Sequence, residues 1–268
     1  LPDLAWRRLG EYLHETRLLG SIQNTLYWDQ NTSMPVGSSE WRAEQLSLLA
    51  RNLHARQSSG YFEELIEEAK IEFQQASQSG DLDFAEIEDR ARNLELLEQD
   101  LTRQKRLDPD LVSILATAKA HGYHLWKQAR ASSDYQCFAP ALRHLIGLRQ
   151  EQARQLSEAR TCWETLAQPF EPDLSIKRLK ELFEPLRQSL PELIENVRSW
   201  KRPDSSKWDL DAKSQRLLCD QLLQEWGRDR NITCVAESPH PFSITLGPKD
   251  FRLTTRVVSG QPFSCFLA

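Results

Sequence analysis

The stretch FAEIEDRARNLELLEQDL, residues 84–101, decides the fold class of this 268-residue chain. Its apolar side chains recur three or four residues apart, which is the spacing of one face of an α-helix. They are Phe84, Ile87, Ala91, Leu94, Leu97 and Leu101. A nearly strict alternation of threes and fours is typical of helices that pair in antiparallel fashion. The stretch therefore predicts a helix that packs against neighbouring helices.

The same helical period extends outward from this stretch, from the first residues to about residue 227. On the N-terminal side, Asp3 is expected to cap the first helix. On the C-terminal side, Asp108 followed by Pro109 is a clear start signal for the next helix. A later helix contains Pro185 and Pro191, which we expect to kink it or split it in two. Residues 1–227 are accordingly predicted to form an antiparallel helical array.

The pattern changes to a period of two near the C-terminus. Residues 242–246 alternate between apolar and polar, residues 247–250 form a turn signal, and residues 251–257 alternate again. Residues 228–268 are thus expected to hold a loop and a two-stranded β-hairpin. The predicted fold class is mainly α with a small β-hairpin near the C-terminus, in one domain.

Composition excludes several classes of function. Lys and Arg sum to 34 and Asp and Glu to 39, so the net charge of −5 argues against nucleic-acid binding. No apolar run approaches the roughly 20 residues that span a bilayer. Five scattered cysteines without a CxxC pair favour a reducing, cytoplasmic location. The first residue is not Met, and we expect the chain to be cut from a longer one.

Three stretches of the sequence stand out as candidates for a functional site. Trp28 followed by Asp29 at a helix end is first interpreted as a core Trp with a capping Asp. His240 lies between two prolines, which restrict its backbone. Asp250, Arg252 and Thr254 alternate along one predicted strand and so share a face, which is either its solvent side or the lining of a polar cleft.

No zinc-binding HExxH pattern occurs in the 268 residues. His14 and Glu15 begin like one, but position 18 is Leu18. His121 and His124 share a helix face and are interpreted as partly exposed histidines rather than as metal ligands.

Taken together, the strings resemble the carboxypeptidase Taq family of metal-dependent carboxypeptidases. The matching segments are residues 26–35 (LYWDQNTSMP), 42–46 (RAEQL), Trp126, 129–130 (AR), Asp134, Phe138, Pro140, 240–242 (HPF) and 250–256 (DFRLTTR). The last two look like the family's HPF and DxRxT motifs. The order and spacing of the segments agree across essentially the whole chain, which makes the resemblance specific.

The resemblance implies a helical array that forms one side of a groove, in an enzyme that removes C-terminal residues from peptides. Zinc or another divalent metal would be the family's cofactor, a peptide its substrate, and a homodimer its assembly. His240, Asp250, Arg252 and Thr254 are implied to form the substrate-binding site, where Arg252 would bind or orient substrate and Asp250 would fix Arg252 or a neighbouring loop.

The resemblance also implies that the domain is incomplete at its C-terminal end, where the family carries its zinc-binding motif. The family's HExxH motif is expected shortly beyond Ala268, and residues 263–268 look like the start of the helix that carries it. We therefore assign no catalytic residue and no metal ligand to this chain, and predict no bound metal and no activity for it alone. The chain also departs from the family pattern at two further positions. An acidic residue of the family is replaced by Gln168 or Pro169, and an Asp expected before the HPF motif is replaced by Ala236. The alternative is a naturally truncated, non-catalytic helical interaction protein.

Overall fold

The computed structural model describes residues 3–156, 160–201, 210–261 and 264. The helices of these ranges are α1 (Leu4–Thr32), α2 (Ser39–Gln57), α3 (Gly60–Ser79), α4 (Phe84–Lys105), α5 (Pro109–Ser132), α6 (Ala139–Leu156), α7 (Cys162–Ala167), α8 (Ile176–Arg198) and α9 (Ala212–Glu225). The strands are β1 (Thr233–Glu237), β2 (Ser243–Gly247) and β3 (Asp250–Thr255). The prediction of a mainly helical fold with a small β element near the C-terminus is confirmed.

Several helix starts follow local capping chemistry, but α1 and α2 begin without a side-chain cap. Asp108 accepts a hydrogen bond from the backbone N–H of Asp110, and Pro109 is the first helical residue of α5, as predicted. The expectation that Asp3 caps α1 is wrong. Asp3 has a φ of 71° and makes no side-chain cap, because its carboxylate instead accepts a hydrogen bond from Arg90 Nη1 at 2.6 Å. The Asp3 carboxylate thus binds the Arg90 guanidinium of α4 in preference to the first backbone N–H groups of α1.

The expectation that prolines split the penultimate helix is also wrong. Pro185 and Pro191 both lie inside α8, which is continuous. A proline removes one backbone N–H and leaves the carbonyl four residues earlier without its helical donor. No residue of α8 is buried, so water can hydrate the carbonyls that the two prolines leave unpaired.

Two clusters of buried side chains hold the helices together. The larger joins α1, α3 and α4 and consists of Leu9, Phe62, Leu65, Ile66, Ala69, Leu94 and Leu101. The smaller joins α2 to α5 through Ala43, Leu46 and Ala120. α5 also approaches α6 closely at Gly122, where a Cβ would lie 2.8 Å from Leu145 Cδ1. These contacts fix α5 between its neighbours, and α5 forms much of the groove wall described below.

The C-terminal sheet has three strands in the order β1-β3-β2. The predicted hairpin is present, since β2 and β3 pair antiparallel with Ser243 opposite Leu253. The sequence missed β1, which pairs parallel with β3 from Thr233 opposite Phe251 onward. No tight turn joins a parallel pair, so the local sequence carries no hairpin signal for β1. The third strand supplies the support that an isolated hairpin lacks.

The sheet is attached to the helical array through α1. Ser21 Oγ donates a hydrogen bond to the carbonyl of Leu246, and Asn24 Nδ2 donates one to the carbonyl of Thr245 at 3.4 Å. These contacts place β2 beside the C-terminal half of α1. Within the described ranges, no helix is long and apolar enough to cross a membrane.

Candidate substrate site

Segments far apart in sequence meet where the sheet contacts α1 and α5. The Phe242 ring packs edge-on against Tyr27 and Trp28 of α1, at centroid distances of 5.6 and 5.7 Å. The His240 ring lies 6.4 Å from that of Trp126 on α5. The recognisable strings of the sequence thus converge on one junction, which we call the sheet–helix junction.

Asp250 and Arg252 form a two-pronged ion pair on β3. Arg252 Nε and Nη2 donate to the two Asp250 carboxylate oxygens at 2.8 and 2.9 Å. The same guanidinium lies over the Trp28 ring, 5.6 Å from its centroid. Its hydrogen bonds to Asp250 lower the pKa of that carboxyl and raise the pKa of Arg252. Arg252 Nη1 has no hydrogen-bond partner among the described residues.

His240 is exposed and its ring is oriented by the chain beside it. Nδ1 lies 2.8 Å from the carbonyl oxygen of Pro241, which can only accept, so Nδ1 carries the proton. Arg130 of α5 donates to the carbonyl of Pro239 at 2.9 Å and holds the preceding residue. Nε2 is left free to interact with a ligand.

Thr254 has a different environment from the other three predicted residues, because it is fully buried. Its hydroxyl accepts a hydrogen bond from the Phe242 N–H at 2.7 Å and lies 3.0 Å from Ser238 Oγ. The backbone N–H of Thr254 also donates to the Phe242 carbonyl at 2.8 Å. Thr254 therefore ties the HPF segment to β3 and does not face solvent.

Arg42 of α2 fixes the end of α1 at this junction. It donates to Asp29 Oδ2 at 2.7 Å, to the Leu26 carbonyl at 2.6 Å and to Gln45 Oε1 at 2.9 Å. Asp29 therefore pairs with α2. This differs from the first interpretation of Asp29 as a local cap.

Two adjoining grooves of about 950 and 1070 Å³ run along α1, the first mainly between α1 and α4 and the second between α1, α2 and α5. The second reaches the turn between β2 and β3 and is lined there by Phe251. His240, Asp250, Arg252 and Thr254 line neither groove, because Asp250 and Arg252 project from the strand face opposite to Phe251.

The grooves contain polar residues that the sequence did not single out. Lys119 and Arg149 line both grooves, and Gln30 and Tyr123 line the second. Apart from the four-residue spacing of Lys119 and Tyr123 on α5, nothing in the sequence separates them from other polar helical residues.

The described residues do not fit a metal centre. They contain no group of three or more His, Cys, Asp or Glu side chains that could hold an ion. His121 lines a small pocket beside α6, and His124 Nε2 lies 3.0 Å from Gln128 Nε2. Of residues 263–268, where the zinc-binding helix was predicted to begin, all but Ser264 lie outside the described residues.

The sequence profile of carboxypeptidase Taq (M32) metallopeptidases matches residues 8–268. The chain belongs to the carboxypeptidase Taq (M32) family. Thermostable carboxypeptidase 1 of Thermus thermophilus is 30% identical over 267 residues, which are 95% of this chain and 51% of that protein. The family resemblance of the sequence strings is thus confirmed.

Solved structures agree with the carboxypeptidase Taq fold. The crystal structure of BsuCP superposes with a TM-score of 0.87 at 24% identity, over 97% of this chain and 51% of that one. The M32 carboxypeptidase from Deinococcus radiodurans R1 gives a TM-score of 0.76 at 25% identity, over 98% and 51%. The chain spans about half the length of these relatives.

Proposed function

We propose that this chain is the part of a metal-dependent carboxypeptidase that forms one wall of the peptide groove and holds substrate beside a metal centre built elsewhere. The observation that carries the proposal is the convergence of the family's strings at the sheet–helix junction. Removal of C-terminal residues from peptides would be the reaction of the whole enzyme.

Arg252 and His240 are the residues we propose to contact substrate. Asp250 occupies Nε and Nη2 of Arg252 and leaves Nη1 available to a peptide carboxylate or carbonyl. Asp250 would act by holding this guanidinium in place over Trp28. His240 would offer Nε2 to a polar group of the peptide.

Thr254 was expected to bind substrate, but its burial leads us to propose a positioning role. Its hydroxyl is committed to the HPF segment, so it would act by fixing where His240 lies. An extended peptide cannot add to β3 as a further strand, because β3 is the central strand of the sheet and pairs with β1 on one side and β2 on the other.

The metal ligands would come from outside the described residues. Neither an HExxH string in the sequence nor an adequate cluster in the described structure is available to hold zinc or another divalent metal. We therefore propose that the chain alone is metal-free and inactive, and we assign no catalytic step to its residues.

A homodimer and a cytoplasmic location complete the proposal for the whole enzyme. Among the described residues, Cys137, Cys162 and Cys234 are free thiols, which is consistent with a reducing compartment.

A substitution in a completed enzyme tests the role of Arg252. Residues 1–268 would be joined to the second half of the Thermus thermophilus carboxypeptidase, and turnover of a blocked dipeptide measured. Arg252→Met should raise KM at least tenfold, because the charge-assisted contact to substrate is lost. Arg256→Met, at an exposed neighbouring position, is the control and should leave KM unchanged. Equal KM values for both variants would contradict the role of Arg252.

One observation favours the alternative of a helical interaction protein. α8 carries an exposed apolar stripe, with side chains between 42% and 57% exposed. The stripe consists of Leu182, Phe183, Leu186, Leu190, Leu193, Ile194 and Val197. An apolar face of this length is typical of an interaction surface. An inactive joined chain with a folded, metal-bound second half would favour this alternative.

A further inference from the structure

Two cationic side chains, Lys119 of α5 and Arg149 of α6, line both grooves, and neither pairs with a carboxylate among the described residues. Lys119 is exposed and has no hydrogen bond or ion pair with any described residue. Arg149 of α6 donates from Nη1 to Gln152 Oε1 at 2.6 Å, and no described carboxylate pairs with it. Unpaired cations on a concave surface are the usual recognition element for an anion.

The electrostatics of the groove support an anionic ligand. The pKa of Lys119 is lowered, first because the surrounding groove wall disfavours the charged ammonium and then because Arg149 repels it. A bound carboxylate would oppose both effects. Besides tyrosines, the other titratable groups that line the two grooves are His14, Arg17, His54, Asp100 and Arg103. Asp100, the acid of this set, already accepts a hydrogen bond from Arg103 at 2.9 Å. The grooves thus carry an excess of positive charge in a chain with a net charge of −5.

Two residues that line the second groove together with these cations each carry a buried polar atom without a partner among the described residues. Gln30 Oε1 and Tyr123 Oη are buried without a hydrogen-bond partner among the described residues. Gln30 is only 7% exposed, and burial raises the pKa of Tyr123 to about 12, so its hydroxyl keeps its proton. Tyr123 follows Lys119 by four residues, which places the two side chains about 6 Å apart on one face of α5. A hydroxyl donor beside an amide acceptor matches the C=O and N–H of a peptide bond.

We propose that Lys119 and Arg149 form a subsite for an acidic side chain of a bound peptide, and that Gln30 and Tyr123 hold a neighbouring peptide bond. The inference rests on the proposed peptidase function for its class of ligand. It deepens that function by predicting a preference for peptides with Asp or Glu upstream of the cleaved bond.

Calorimetric titration of the 268-residue chain tests the subsite without requiring turnover. The probes are acetyl-Ala-Ala-Glu-Ala-Ala-amide and the same peptide with Gln in place of Glu. Both ends are blocked, so a terminal carboxylate cannot contribute. The wild-type chain should bind the Glu peptide about tenfold more tightly, as expected for one charge-assisted contact.

Substitutions separate the charge contact from the peptide-bond contact. Lys119→Met should remove the preference for Glu, and Arg149→Lys should retain part of it. Tyr123→Phe should weaken both peptides several-fold and leave their ratio unchanged. Arg143→Met, an equal loss of charge at an exposed position on α6 outside the grooves, is the control and should change nothing.

Three results would overturn the subsite. These are equal affinity for the two peptides, no binding of either, or a Glu preference that survives Lys119→Met. Binding of inorganic phosphate that depends on Lys119, without binding of the Glu peptide, would also overturn it and would indicate a small-anion site. Failure of the subsite leaves the carboxypeptidase proposal standing, because that proposal is tested by turnover of the joined chain.

Discussion

At the scale of the residue, Arg42 is the side chain on which the junction of α1 and α2 most depends. Its guanidinium is 11% exposed and makes three hydrogen bonds, one of them to the Asp29 carboxylate. Arg42→Met should lower the free energy of unfolding by about 2 kcal/mol, because it leaves the Leu26 carbonyl and Asp29 without their donor. Urea unfolding measures this loss.

The control for Arg42 is Arg92→Met. Arg92 pairs with Glu95 on the exposed face of α4, and such pairs contribute about 0–1 kcal/mol. Equal losses in the free energy of unfolding for the two variants would show that the Arg42 contacts stabilise the fold no more than an exposed ion pair does.

Thr254 should be as important for stability as its burial indicates. Thr254→Val keeps the shape but removes the oxygen that accepts from the Phe242 N–H, so unfolding free energy should fall by about 1–3 kcal/mol. Thr245→Val on the exposed edge of β2 should be nearly neutral. A thermal melt in which both variants match wild type would contradict the proposed anchoring of the HPF segment.

Asp250 should contribute to acid sensitivity in a predictable direction. Arg252 lowers its pKa in the folded state, so the unfolded state takes up the proton first as the pH falls. The contribution is therefore fully present above the ordinary Asp pKa of about 4 and is lost progressively as the pH falls below it, through the lowered folded-state pKa. Asp250→Asn should be less stable than wild type at pH 7, and the difference should shrink steadily as the pH is lowered below 4. Glu11→Gln, at an exposed carboxylate of α1, should show no such dependence on pH. Parallel stability–pH curves for wild type and Asp250→Asn would contradict the account.

The sequence located Asp250 and Arg252 as neighbours on one strand face, and their mutual ion pair follows from period-two geometry. It could not show that Thr254 is buried, because burial depends on the HPF segment folding over it. Gln30 and Tyr123 were equally out of reach, since two unpaired atoms become visible only when α1 and α5 are placed together.

At the scale of the element, α8 is the helix whose properties the sequence predicted least well. The local effect of proline suggested a break, yet the helix is continuous and its apolar stripe faces solvent. The sequence did not predict β1, because β1 pairs in parallel with β3 and no tight turn between the two strands marks the pairing in the local sequence.

The α8 stripe should cause the isolated chain to associate with a second copy of itself. Light scattering after size exclusion is expected to give a dimer or larger species. Leu186→Glu together with Leu193→Glu should shift it to the monomer, because charges would then interrupt the apolar face. Gln188→Glu with Asn196→Glu adds the same charge at other exposed positions of α8 and should leave the association intact. A wild-type chain that stays monomeric at high concentration would contradict this expectation.

At the scale of the whole molecule, helical periodicity was enough to predict the mainly helical fold, because the core clusters use the same apolar positions that carry the period. The division into residues 1–227 and 228–268 stays a prediction. The family strings indicated which segments meet, but their geometry required the sheet to be held on α1 by Ser21 and Asn24.

The chain matches about half the length of its relatives. Its residues form the grooves beside α1 and an ion pair between Asp250 and Arg252 at the sheet–helix junction, while the described part contains no group of three or more side chains that could hold a metal. Binding and catalysis should therefore be separable in this family between the two halves of the fold.

Release of the C-terminal amino acid from a blocked dipeptide, in the presence of zinc, is the most direct measurement. It compares the purified 268-residue chain with the same chain joined to the second half of the Thermus thermophilus carboxypeptidase. The account predicts no release by the chain alone and metal-dependent release by the joined protein. Sustained release by the chain alone, or none by a folded joined protein that has bound its metal, would contradict it.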